Sequence, residues 1–155
     1  LSGKLAAETN TYRGVVLKFS EPPEARMPAK RWRLYIFKGE EQLEPLRIYK
    51  QSFFLCGKDR QVADIPTDHP SCSRQHAVIQ YRQITAEDEF GASVTKVKPY
   101  LMDLESTNGT FINDVRLEPR RYYEILEKDV LKFGNSTRKY VLLHPESKDS
   151  DSDDG

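Results

Sequence analysis

Residues 98–117 read K-P-Y-L-M-D-L-E-S-T-N-G-T-F-I-N-D-V-R-L. Three runs rich in aromatic and β-branched side chains, 98–103, 110–112 and 115–117, are separated by S-T-N-G and N-D. Asn, Asp, Ser and Gly reverse a chain because their side chains bond the local backbone or tolerate positive φ, so the segment reads as strand, turn, strand, turn, strand. The same pattern recurs on both sides, at 15–19, 32–37, 46–49, 53–56, 77–82, 122–125, 130–133 and 140–143. No stretch of helical length repeats apolar residues at 3.6-residue spacing, which disfavours alternating strands and helices. About eleven short strands in one open sheet would expose an apolar face and two long edges, so the fold expected is an all-β, two-sheet sandwich with an extended N-terminal arm.

Composition sets the limits. The chain has 155 residues, 37% of them hydrophobic, which predicts one domain at about 150 residues per domain. Lys and Arg number 24 and Asp and Glu number 24, a formal charge of zero that argues against a protein holding nucleic acid mainly by phosphate neutralisation. The balance is uneven, because Glu146, Asp149, Asp151, Asp153 and Asp154 outweigh Lys148 at the C-terminal end and leave the body mildly basic. No apolar run is long enough for a membrane span, and no signal peptide is visible, so a soluble intracellular protein without membrane contact is expected. Cys56 and Cys72 lack metal-type spacing and are too few for a disulfide scaffold. The start at Leu1, without methionine, suggests a piece of a longer protein.

The organisation expected is an arm over residues 1–31, a domain over 32–145 and a disordered acidic tail over 146–155. Pro22, Pro23 and Pro28 deny regular ladder bonds to residues 21–30, which should run over the surface. Residues 86–96, with Gly91 and Ser93 among charges, read as a long hairpin loop of variable order.

Three turns carry chemistry: G-K-D-R at 57–60, S-C-S-R-Q-H at 71–76 and S-T-N-G-T at 106–110. Loops of a sandwich gather at its ends, so turns distant in sequence can share a rim. Lys58, Arg60 and Arg74 offer positive charge, Ser73 and Thr107 hydroxyls, and Asn108 an amide suited to a peptide main chain, a set that favours an anion.

With Gly57-Lys58, S-R-Q-H at 73–76, D-L-E-S-T-N-G-T-F-I-N at 103–113 and the fifteen-residue step from Lys58 to Ser73, the chain resembles the forkhead-associated (FHA) domain. The resemblance spans roughly residues 32–143 and implies a phosphothreonine-recognition β-sandwich, an adaptor and not an enzyme, without a cofactor. E-P-P-E-A-R at 21–26, R-W-R-L-Y at 31–35, A-D-I-P-T-D-H-P-S-C-S-R-Q-H-A-V at 63–78 and Y-V-L-L-H at 140–144 look like the Smad nuclear-interacting and Dawdle family. That likeness implies a nuclear protein of pre-mRNA splicing, bound to the retention-and-splicing complex of the spliceosome, and in plants microRNA biogenesis.

Carried onto this sequence, Lys58, Arg60, Ser73, Arg74, Thr107 and Asn108 form the phosphopeptide site, and Gly57, His76 and Gly109 support its loops. Lys58 stands where the family usually has arginine. A lysine is a compact point charge that cannot grip a phosphate with two parallel bonds, so weaker binding is expected unless Arg60 turns inward. Three or four charge-assisted bonds at about 1.5–3 kcal/mol each would supply most of the roughly 8 kcal/mol of a micromolar complex, less the entropy of association.

Other readings are open in the residues. Arg26, Lys30, Arg31 and Arg33 around Trp32 could dock RNA or a splicing partner, which would make the chain a constitutive scaffold with an unused phosphate pocket. Ser73, His76 and Asp103 have the types of a hydrolase triad but no nucleophile elbow, and His69, Cys72 and His76 lack a fourth metal ligand. No catalytic or metal site is therefore expected.

Overall fold

A computed structural model describes residues 10–145. The tail expected at 146–155 and the first nine residues of the arm lie outside the described residues.

The described residues form fourteen strands: β1 Thr11–Tyr12, β2 Val15–Val16, β3 Arg33–Lys38, β4 Glu41–Gln42, β5 Leu46–Arg47, β6 Phe53–Gly57, β7 Ile65–Pro66, β8 Ala77–Glu87, β9 Ser93–Asp103, β10 Thr110–Ile112, β11 Val115–Arg116, β12 Tyr123–Glu124, β13 Leu131–Phe133 and β14 Lys139–Leu143. One sheet runs β11-β10-β13-β14-β3-β4, with β5 also on β3; the other runs β12-β9-β8-β6-β7. Between them lies the main core. Leu34 and Ile36 of β3, Phe133 of β13 and Tyr140 and Leu142 of β14 meet Phe54 and Cys56 of β6, Ala77, Ile79 and Tyr81 of β8 and Leu101 of β9. The alternate residues within each strand follow from the two-residue period of the pleat.

The residues in between explain the arm. Phe53 and Leu55 of β6, Val78 of β8 and Met102 of β9 point to the other face of the five-stranded sheet, where Tyr12, Val15, Leu17 and Phe19 cover them. At β6 and the adjoining ends of β8 and β9 that sheet is buried on both faces, and β6 accordingly reads as the unbroken apolar run F-F-L-C. Phe19 packs edge-on against Phe53 at 5.1 Å and is 5% exposed, a burial contributing about 1.5–3 kcal/mol. Further along, Gln83 N–H donates to Glu24 O (2.9 Å) and Arg26 N–H to Tyr81 O (3.2 Å), so Ala25 bridges to Arg82 on β8 beyond the reach of β6. Arg82 bonds the Glu24 carboxylate at 2.6 Å and lies over the rings of Tyr100 and Tyr122.

Several expectations change. The strand expected at 15–19 stops at Val16, which pairs with Thr11 through a two-residue turn; Arg13 and Gly14 both have positive φ there. Leu17 and Phe19 are buried by contact with the sheet face and not by a ladder. Residues 86–96 are no long loop: β8 and β9 stay in register to Glu87↔Ser93, and the reversal is confined to 88–92. Asp88 Oδ1 accepts the N–H groups of Phe90 (2.8 Å) and Ala92 (2.9 Å), and Thr85 and Thr95 hydroxyls meet across the ladder at 3.0 Å. An exposed two-strand ribbon has no apolar face to display a period, so this extension was invisible in the hydrophobic pattern. The N-D turn within 98–117 is a tight hairpin turn, with Asn113 at φ 52° and Asp114 at φ 66°.

Candidate functional site

The three turns meet at one end of the sandwich. Lys58 N–H donates to Ser73 O (3.0 Å) and Asp59 N–H to Arg74 O (3.2 Å), stapling the turn after β6 to the one before β8. This approach requires Gly57, where a Cβ would lie 1.9 Å from the Arg74 carbonyl oxygen. Asn108 Nδ2 donates to Ser71 O (2.8 Å), and Thr107 N–H reaches Ser73 Oγ at 3.4 Å, joining the third turn to the second.

Beneath the rim lie buried side chains. His76 accepts Ser73 N–H at Nδ1 (3.0 Å) and donates from Nε2 to Gly109 O (2.8 Å), an arrangement only the neutral ring with its proton on Nε2 can make. Burial, and secondarily the Lys18 charge, lower its pKa, against the opposing pull of the Gly109 carbonyl and Asp103. Asp103, 2% exposed, accepts Ser106 Oγ–H (2.5 Å) and Thr110 Oγ1–H (2.6 Å) at Oδ1 and Ser106 N–H (3.1 Å) at Oδ2. Ser106 Oγ in turn accepts Gly109 N–H at 3.0 Å. Gly109 adopts φ +90°, and a Cβ there would lie 2.6 Å from Arg116 Nε. The S-T-N-G-T turn is thus shaped from inside by one carboxylate and one imidazole.

The resulting cleft has a volume of about 560 Å³ and is lined by Lys58, Ser73, Arg74, Thr107 and Asn108, together with Ser71, Gln75 and Lys18. Among the described residues, no carboxylate lines it. The Ser73 hydroxyl, which accepts from Thr107 N–H, keeps its own proton to donate, and Asn108 retains an amide hydrogen and its carbonyl oxygen after the bond to Ser71. A rim of three cations and free donors attracts an anion.

Arg60 does not join them. Its guanidinium pairs with the Asp68 carboxylate, Nε to Oδ1 at 3.2 Å, and it lines a separate depression with Lys58, Asp59, Gln61 and Arg74. Asp68 is a sequence neighbour of the second turn, and its charge takes the guanidinium that was expected to compensate for Lys58. Of Arg26, Lys30, Arg31 and Arg33, only Lys30 lines the groove bounded by Trp32, Lys96, Lys98, Leu126 and His144. Trp32 packs edge-on to His144 at 4.5 Å and against the core, just ahead of β3. The triad types are occupied otherwise: the Asp103 carboxylate serves Ser106 and Thr110, and His76 serves two backbone groups. His69 Nδ1 accepts Ser71 N–H (3.1 Å), and Cys72 is buried beside Phe133 O.

Sequence reading missed Lys18 and Gln75. Gln75 Oε1 accepts Lys18 N–H (2.9 Å), Gln75 Nε2 donates to Val16 O (3.0 Å), and Arg120 Nη1 donates to Lys18 O (2.6 Å). The leader is thereby laid along the cleft's edge, across a sequence separation that no local pattern reports.

Comparison with known proteins agrees with this architecture. A sequence model of the FHA domain matches residues 54–134. The chain is 63% identical over 148 residues to the FHA domain-containing protein DDL of Arabidopsis thaliana and 60% identical over 153 residues to Smad nuclear-interacting protein 1 of Mus musculus. These matches cover 95% and 99% of this chain but only 47% and 40% of those proteins, so the chain spans less than half the length of either relative. Among solved structures, the yeast Pml1 splicing factor, described with its integration into the RES complex, superposes with a TM-score of 0.68 at 27% identity, over 82% of this chain and 97% of that one. With its two-sheet sandwich, its three convergent turns and the matched stretch that contains them, this chain belongs to the FHA-domain family.

Proposed function

We propose that the cleft binds a phosphothreonine segment of a partner protein, and that the chain is the adaptor part of a nuclear pre-mRNA splicing factor. The observation that carries the first half is the convergence of Lys18, Lys58, Arg74, Ser73 and Asn108 on a rim that has no carboxylate among the described residues. A phosphate brings about −1.5 to −2 charges and three acceptor oxygens. Lys58 and Arg74 would neutralise it, the Ser73 hydroxyl would donate to one oxygen, and Thr107 would hold it through its loop. Asn108, braced on Ser71, would bond the peptide main chain on either side of the phosphorylated residue.

The second half rests on likeness. Pml1 is a splicing factor of the RES complex, and the name of Smad nuclear-interacting protein 1 places that relative in the nucleus. Nuclear localisation, a partner within the retention-and-splicing complex and a part in microRNA biogenesis belong to this reading, as the sequence resemblance to the Smad nuclear-interacting and Dawdle family implies.

An oriented phosphothreonine-peptide library, screened against a phosphatase-treated copy, tests it. Retention of phosphorylated sequences that vanishes on dephosphorylation is expected; equal retention would overturn the reading. The double variant Ser73→Ala/Asn108→Ala separates adaptor from constitutive scaffold: lost complex assembly is expected, whereas intact assembly would assign the work to the arm and sandwich surface.

A further inference from the structure

We infer that Lys18, a residue of the leader outside the stretch 54–134 matched by the FHA-domain model, supplies the phosphate cradle with a third cation beside Lys58 and Arg74. The inference rests on the phosphothreonine reading of the cleft and adds one contact to it.

Three observations combine. Lys58 offers the cleft a point charge without a guanidinium's paired donors, and the nearby Arg60 pairs with Asp68. Lys18 lines the same cleft as Lys58, Ser73 and Arg74, and its side chain is exposed there. Its backbone is fixed on both sides, the N–H by Gln75 Oε1 at 2.9 Å and the carbonyl by Arg120 Nη1 at 2.6 Å.

Neither anchor uses the Lys18 side chain, so the leader's course is set independently of the ammonium group. Leu17 and Phe19, on either side of it in sequence, are buried in the cluster on the outer sheet face and leave Lys18 facing outward. A point charge held on a fixed backbone loses less freedom on binding than one on a mobile arm. Because none of the described residues lining the cleft is a carboxylate, the positive charge is available to an incoming dianion. The domain stretch that suffices for a family match therefore lacks one wall of the cleft: the arm completes it.

The test uses the full chain and a minimal probe, N-acetyl-phosphothreonine methylamide, titrated by 15N–1H correlation NMR, with the unphosphorylated compound as control. Lys18→Ala is expected to raise Kd about three- to tenfold, the range for an exposed cation against a doubly charged phosphate, and to flatten the dependence of affinity on salt. Lys18→Arg should restore affinity to within about twofold, which separates a charge contact from a packing role. Lys96→Ala, which removes the same charge opposite Ile84 and far along the ladder from the cleft, should leave Kd unchanged. Preserved amide dispersion in Lys18→Ala is expected, since both backbone anchors remain. If Ser73→Ala loses the probe while Lys18→Ala stays within about twofold of the parent, Lys18 is no part of the cradle and the phosphothreonine reading stands. If the parent chain does not discriminate phosphorylated from unphosphorylated probe, both readings fall together.

Discussion

Replacing Asp103 by asparagine keeps the shape of the side chain and removes one acceptor together with the charge. In the folded chain Oδ1 accepts two hydroxyls, from Ser106 at 2.5 Å and Thr110 at 2.6 Å, and Oδ2 accepts Ser106 N–H at 3.1 Å. If asparagine keeps its oxygen toward the hydroxyls, its NH2 confronts the Ser106 N–H, and a charge-assisted bond of about 1.5–3 kcal/mol becomes a donor–donor contact. The two remaining bonds lose their charge assistance, roughly halving each and together costing about 1.5–3 kcal/mol more. The expected destabilisation is about 3–6 kcal/mol, against a total of about 5–15 kcal/mol for a typical domain. Chemical denaturation with urea would measure it, and the melting temperature should fall by roughly 10–15 °C at this chain length. Because Ser106 Oγ also receives Gly109 N–H, the turn presenting Thr107 and Asn108 should loosen with it, lowering phosphothreonine-peptide affinity by at least about tenfold under conditions where the variant is still folded. Thr110→Val removes one of the same bonds, and a double-mutant cycle between the two should give a coupling above about 0.5 kcal/mol. A loss below about 1 kcal/mol for Asp103→Asn, or additive effects in the cycle, would refute the account of Asp103 as the organiser of this turn.

Three further outcomes follow from the same structure. Phe19→Ala, which empties a buried ring site against Phe53, should destabilise the whole domain in a single urea transition by about 3 kcal/mol; a separate early transition would show that the leader is not part of the cooperative unit. His76 is held neutral by burial, so its folded pKa lies below the unfolded value of about 6.5 and the unfolded chain binds the proton more readily. Its contribution to stability is complete above about pH 6.5 and is lost as pH falls through the window down to the folded pKa; an NMR titration of the ring that placed its midpoint at or above about 6.5 would contradict this. Phosphothreonine should be preferred to phosphoserine in matched peptides by about fourfold, from the burial of one methyl at about 0.8 kcal/mol and the restricted rotamers of a β-branched side chain, and equal affinities by calorimetry would reject the preference.

How much could be read in advance depended on the range of the interaction involved. The strand from Phe53, the partner strand ending at Asp103 and the turns between Ile112 and Val115 and around Gly109 were legible because alternation, β-branching and turn chemistry act over a few residues. The gathering of Lys58, Ser73, Arg74, Thr107 and Asn108 was legible as a resemblance, since each sits in a turn with its own local signature. Short pairings such as Glu41 with Lys38 and Ile65 with Cys56 carried no such signature, because ladder bonds between exposed or edge residues leave side-chain identity almost free.

The amino-acid order by itself determined a β-sandwich with cationic, hydroxyl-bearing turns, because the longer core strands and these turns encode their geometry in their nearest neighbours. Only the tertiary structure decided which cations line the cleft. Arg60 turned to Asp68, eight residues away, while Lys18 was carried to the rim by Gln75 and Arg120, 57 and 102 residues distant. The same holds for the burial of Asp103, which is 2% exposed although its type is usually found at the surface. A charge has one identity in a sequence but many possible partners, and the choice among them is made by packing, which brings together what the chain keeps far apart.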